Sequence, residues 1–142
     1  MRNIKIKRLQ HYNYRTDGYY FVTIVAAKRA SIFQGKEIQV EKIFYETTLS
    51  MAGVSIDTMI VMSNHVHVIF VLSDSKFLLG EVVRRCKSKV RIALGRLGPF
   101  VWQPNYHEHI VRSEEDLNRI REYIILNPEM ERLKLEVLRG SR

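Results

Sequence analysis

A chain of 142 residues, 46% of them hydrophobic, can bury one well-formed core but not two, so a single domain over 1–142 is expected. Its 23 Lys and Arg against 15 Asp and Glu leave a net charge of +8, which favours a polyanionic partner such as nucleic acid. Cys86 stands alone, which excludes an internal disulfide. No apolar run reaches the length of a signal or a membrane span, so a soluble cytoplasmic protein without a membrane partner is expected.

The first 18 residues form a basic, aromatic arm. Arg2, Lys5, Lys7, Arg8 and Arg15 lie among His11, Tyr12 and Tyr14, a mixture that can contact phosphates while aromatic rings stack on unpaired bases. A solvated terminus with tyrosines tucked on a sheet is the competing reading. After the turn signal Asp17-Gly18, the aromatic and β-branched run Tyr19 to Val25 reads as a central strand. From Lys36 to Met51, Val40, Ile43, Phe44, Thr47 and Met51 recur at helical spacing, and Gly53 suits the position just past the helix end.

Val54–Met62 and His65–Leu72 are two apolar runs separated by Ser63-Asn64, the pattern of an antiparallel hairpin. Within the second run, Asn64-His65-Val66-His67-Val68 puts two imidazoles on one side of a strand, as two ligands of a metal would be. Half-buried structural histidines are the plainer alternative. Leu79, Val82, Val83, Cys86, Val90 and Ala93 then repeat as a helix ending at Gly95. On its polar side Arg84, Lys87 and Arg91 share a face that could track a phosphate backbone or simply solubilise the helix.

Short strands are expected at Phe100–Trp102 and His109–Val111, with Trp102 in the core and His109 as a hydrogen-bonded structural histidine. Ser113 followed by Glu114, Glu115 and Asp116 is a helix-capping pattern, and Pro128 places the helix end at Asn127. Residues 129–142 read as a short helix or tail. The order strand, helix, strand, strand, helix, strand, helix gives an α+β fold, a ferredoxin-like antiparallel sheet with helices packed on it.

At about 100° per residue, Leu117, Ile120 and Ile124 make the core stripe of the last helix. Tyr123 lies at its edge, with Asn127 beside it at i, i+4. A boundary tyrosine and a helix cap would explain both. If the helix packs over the histidines, the phenol could instead attack a phosphodiester beside a metal held by two imidazoles and an amide oxygen.

Five ordered segments carry a resemblance. They are Tyr12-Asn13-Tyr14 with Gly18 to Thr23, Met62-Ser63-Asn64-His65-Val66-His67, Lys87-Ser88, Trp102 to Tyr106 with His109, and Asp116 to Ile124 with Asn127-Pro128. Together they resemble the HUH single-tyrosine transposases, most closely the REP-associated tyrosine transposases of bacteria. Ser63 departs from the family's usual proline just before Asn64-His65, in a turn that leaves the ligands intact.

The resemblance implies an enzyme that cuts single-stranded DNA near hairpin or palindromic elements, leaving a 5′-phosphotyrosine and a free 3′ hydroxyl. By position His65 and His67 match the metal ligands, Asn127 the third ligand and Tyr123 the nucleophile. The implied metal is magnesium or manganese rather than zinc, with manganese better suited to mixed nitrogen and oxygen ligands. DNA contacts are expected from Arg8, Tyr14, Arg15, Arg84, Lys87 and Arg91, in a monomer or homodimer. Two other functions are compatible with the residues. One is a zinc- or manganese-dependent hydrolase using His65, His67 and His109 with Glu108 as base and water as nucleophile. The other is a DNA hairpin-binding protein that does not cut.

Overall fold

The aromatic and β-branched run after Asp17 forms strand β1 (Gly18–Val25), as its composition predicts. The computed structural model describes residues 17–95 and 102–140. Helix α1 (Glu37–Leu49) follows, then the hairpin of β2 (Val54–Val61) and β3 (His65–Leu72), helix α2 (Leu79–Ala93), strand β4 (His107–Ile110) and helix α3 (Glu114–Gly140). The sheet is antiparallel throughout, in the order β2-β3-β1-β4. This is the ferredoxin-like α+β arrangement expected from the element order. The arm residues Arg8, Tyr14 and Arg15, and the expected strand residues Phe100 and Val101, lie outside the described residues.

Strand β3 is interior and, after His65, buried at every position, because both faces of the sheet are covered. Tyr20, Val22 and Ile24 of β1 with Val66, Val68 and Phe70 of β3 face Val40 and Phe44 of α1 and Val82, Val83 and Cys86 of α2. The opposite face presents Tyr19 and Phe21 with Ile69 and Val71 to Leu117, Ile120 and Ile124 of α3. Strand alternation therefore puts His65 and His67 on the α3 side. Gly53 ends the α1 turn at φ +81°, and a Cβ there would come within 2.7 Å of the Ser73 carbonyl oxygen, so the glycine needs both its backbone freedom and its missing side chain.

The last two elements depart from the sequence expectation by more than a shifted end residue. Strand β4 begins at His107 rather than His109, and Trp102 makes only an isolated bridge to Ala26. Helix α3 does not stop at Asn127 but continues through Pro128 to Gly140, so 129–140 is neither a separate short helix nor a tail. A proline inside a helix loses one hydrogen bond and crowds the preceding turn, at a cost of about 3 kcal/mol. The following Glu, Met, Arg, Leu and Lys residues are strong helix formers, and no stop signal appears before Gly140. Asn127 is thus not a helix-terminal cap.

Candidate active site

The two imidazoles stand side by side on β3, with ring centroids 4.6 Å apart and ring planes at 75°. Each has its Nδ1 held by an oxygen. Thr23 Oγ1, directly across the β1–β3 pairing, lies 2.8 Å from His67 Nδ1, and Asn64 Oδ1 lies 2.7 Å from His65 Nδ1. The Asn64 amide nitrogen donates to the Arg29 carbonyl at 3.4 Å, so its oxygen is the atom facing His65. An amide oxygen only accepts, so His65 Nδ1 must donate, and its lone pair then sits on Nε2.

Burial, with the charge of His65 close by, pushes the buried His67 down to a pKa of about 4. It is therefore neutral near pH 7, the form that binds metals. The neutral His67 imidazole and the oriented His65 ring beside it fit the nitrogen ligands of a divalent cation. On this basis Asn64→Ala or Thr23→Val should weaken manganese binding by roughly 10- to 100-fold, the usual effect of losing a partner that orients a ligating histidine. Metal titration with melting temperature as the readout checks this.

The depressed His67 value also predicts a pH dependence. Between its unfolded value near 6.5 and about 4, the unfolded chain takes up a proton that the folded chain refuses, so stability is complete above about pH 6.5 and falls as the pH drops toward 4. The full loss is roughly 3 kcal/mol. Metal-free melting curves should show this fall, and His67→Asn should flatten it.

Tyr123 comes over this pair from α3. Its ring meets His67 edge to face at 5.4 Å and Phe21 at 6.3 Å, while the residue is 54% exposed. The Tyr123 ring thus lies against His67 with much of its surface open to solvent. Asn127 is half-buried one turn further along the same helix.

Polar contacts help to hold that helix. Ser113 Oγ accepts the Asp116 N–H at 3.1 Å, capping α3 as predicted. Further along, Arg121 grips Asp57 with two charge-assisted bonds, Nε to Oδ2 at 2.8 Å and Nη2 to Oδ1 at 2.6 Å. Asp57 sits where the β2–β3 register shifts between Ile56 and Thr58, and such a bulge re-aims a side chain.

The family pattern described as "Transposase IS200 like" matches residues 14–127. The chain belongs to the IS200-like transposases, a family of DNA-cutting and joining enzymes. It is similar to an uncharacterized protein of Haemophilus influenzae, 29% identical over 85% of this chain and 86% of the relative. Among solved structures, a REP-associated tyrosine transposase bound to a REP hairpin superposes with a TM-score of 0.72 at 21% identity, covering 87% of this chain and 74% of the other. A candidate transposase from Deinococcus radiodurans superposes at 0.58 with 18% identity, covering 84% and 95%.

In this IS200-like transposase the other predicted residues fall into two places. His109 Nε2 is bonded to Asp116 Oδ2 at 2.8 Å, and its backbone pairs with Phe21 rather than Thr23. Among the described residues, no three His, Cys, Asp or Glu side chains group to hold a metal, so the zinc triad of His65, His67 and His109 is not formed. Arg84, Lys87 and Arg91 line one cavity of about 490 Å³ between α2 and residues 102–106, on the far face of the sheet from Tyr123.

Lys87 does more there than present charge. Its ammonium donates to the Gln103 carbonyl at 2.9 Å and the Pro104 carbonyl at 3.4 Å, while Trp102 Nε1 donates back to the Lys87 carbonyl at 3.0 Å. Burial lowers the pKa of this lysine. Sequence reasoning missed Thr23, Asp57 and Arg121, whose partners lie far along the chain. Asn64 had a signal, since it directly precedes the histidine pair.

Proposed function

We propose that this transposase cuts single-stranded DNA beside a hairpin by attack of the Tyr123 hydroxyl on a phosphodiester. The observation that supports it is the Tyr123 ring lying edge-on to His67, on the same face as His65. His65 and His67, with Asn127 as third ligand, would hold magnesium or manganese, which when bound polarises a phosphoryl oxygen and offsets charge at phosphorus.

The phenol oxygen forms a bond to phosphorus, losing its proton, and the bond from phosphorus to the 3′ oxygen breaks, that oxygen taking up a proton. The product is a 5′-phosphotyrosine and a free 3′ hydroxyl. Because the new ester conserves the energy of the broken one, a second 3′ hydroxyl can attack it and join new ends without ATP. Exposure of the Tyr123 ring lets a strand approach, and α3 holds the ring in place. The solved relative bound to a REP hairpin supports a hairpin-bearing strand as the substrate here.

The test is to incubate the protein with end-labelled, hairpin-bearing single strands and manganese, then denature. A covalent protein–DNA adduct that requires manganese and disappears in His65→Ala supports the reading, and cleavage without any adduct sinks it. Asn127→Ala should raise the manganese concentration needed for half-maximal adduct. An unmoved titration removes Asn127 from the ligand set.

A further inference from the structure

The cavity between α2 and residues 102–106 has the chemistry of a binding site rather than of a surface that merely tracks phosphates. Arg84, Lys87 and Arg91 supply its charge, and among the described residues no carboxylate lines it, the Glu108 carboxylate lying close enough to act on Tyr106 from outside. The nearest acid on the helix, Glu81, is bonded to Arg85 at 2.8 Å and stands 3.9 Å from Arg84. An ammonium has three donors, and Lys87 spends two on the Gln103 and Pro104 carbonyls, so a third is left for an anion.

The rest of the lining differs in kind. Tyr106 and Pro104 offer apolar surface, while the Ser88 hydroxyl and the Gln103 amide offer both donor and acceptor groups. Cationic donors for phosphate, a ring for stacking and a few directional polar groups are what a nucleotide needs. A volume of about 490 Å³ is that of a small-ligand pocket.

The position links it to the active site. Trp102 bridges Ala26, the residue after Val25, and Val25 pairs with His65. The cavity therefore lies at the histidine end of the sheet, but on the α2 face.

We infer that this cavity takes one unpaired nucleotide of the DNA strand, with its phosphates on Arg84 and Arg91 and its base against Tyr106 between Ser88 and Gln103. The inference rests on the strand-cutting reading above and adds a second anchor on the opposite face from the nucleophile. A strand held at both places passes round the end of β1.

The test uses the full chain, two variants and two probes. Ser88→Trp fills the cavity and Tyr106→Ala removes its ring. Affinity is measured at one salt concentration for a short oligothymidylate strand and for a blunt two-strand duplex with the same number of phosphates. Both variants should bind the thymidylate strand about tenfold or more weakly, as expected from loss of one base stack, and the duplex within about twofold of wild type. Unchanged thymidylate affinity, or equal weakening on both probes, overturns the inference. If Ser88→Trp does not melt cooperatively, Tyr106→Ala alone decides. The outcome is separable from the reading it rests on. Selective loss with no wild-type adduct leaves the cavity standing and sinks the nucleophile, while an adduct with no selective loss does the reverse.

Discussion

Tyr123→Phe is expected to abolish cleavage and adduct formation while leaving DNA affinity within about twofold, since phosphate contacts and not the nucleophile supply most of the binding. The substitution removes one oxygen and keeps the ring, so the edge-to-face contacts with His67 and Phe21 survive and α3 stays in place. What is lost is the atom that would bond to phosphorus in the mechanism we propose. Removal of a covalent nucleophile elsewhere lowers turnover by about 10⁴-fold or more, which puts the variant below detection. Denaturing gels of labelled strands read the chemistry, and anisotropy with the same strands reads the binding. A Tyr123→Phe protein that still cuts would show that water is the nucleophile.

The second large effect is expected at the grip between β2 and α3. The Asp57 side chain is 6% exposed and that of Arg121 26% exposed, so removing either leaves a charge in a place poor in water. Burial pushes the Asp57 carboxyl up, but the Arg121 and Thr58 hydrogen bonds and the Arg121 charge outweigh it and hold the group below its ordinary value. Arg121→Met strands the more deeply buried carboxylate and should cost about 3 kcal/mol in urea unfolding, more than Asp57→Asn. The double variant Asp57→Asn with Arg121→Met should recover part of that loss, because no unpaired charge remains. Since the carboxyl is depressed, the pair's contribution is complete above about pH 4 and vanishes as the pH falls through the lowered value. Arg121 lies two residues before Tyr123, so weakening the grip should also slow adduct formation. Equal stability of all three variants would show that the bridge contributes nothing.

Local patterns on the sequence led to much of this arrangement. Alternation alone put His65 and His67 on one face of β3, and the spacing of Leu117, Ile120 and Ile124 gave the buried side of α3, with Tyr123 at its edge. The rest depends on register between distant segments. Thr23 meets His67 only because β1 and β3 pair with those residues opposite, 44 positions apart, and nothing local to Thr23 signals it. Asp57 reaches Arg121 across 64 positions through a bulge that shifts the pairing at Ile56 and Thr58. Pro128 misled in the other direction, because a local breaker was weighed without the helix formers that follow it.

The two faces of the sheet are unequally held. Among the described residues, an extensive core that includes Tyr20, Phe33, Phe44, Phe70 and Trp102 lies under α1 and α2, whereas α3 is seated by Leu117, Ile120 and Ile124, the Asp57 bridge and the His109–Asp116 bond. In a hydrogen-exchange experiment the amides of α3 should therefore trade their protons through a partial opening at lower free energy than those of β1 and β3, which await global unfolding. A helix that lifts as a unit would carry Tyr123, and any DNA end esterified to it, away from the histidines without unfolding the sheet. Among the described residues, the less extensively packed layer is thus the one on which the proposed strand exchange would turn.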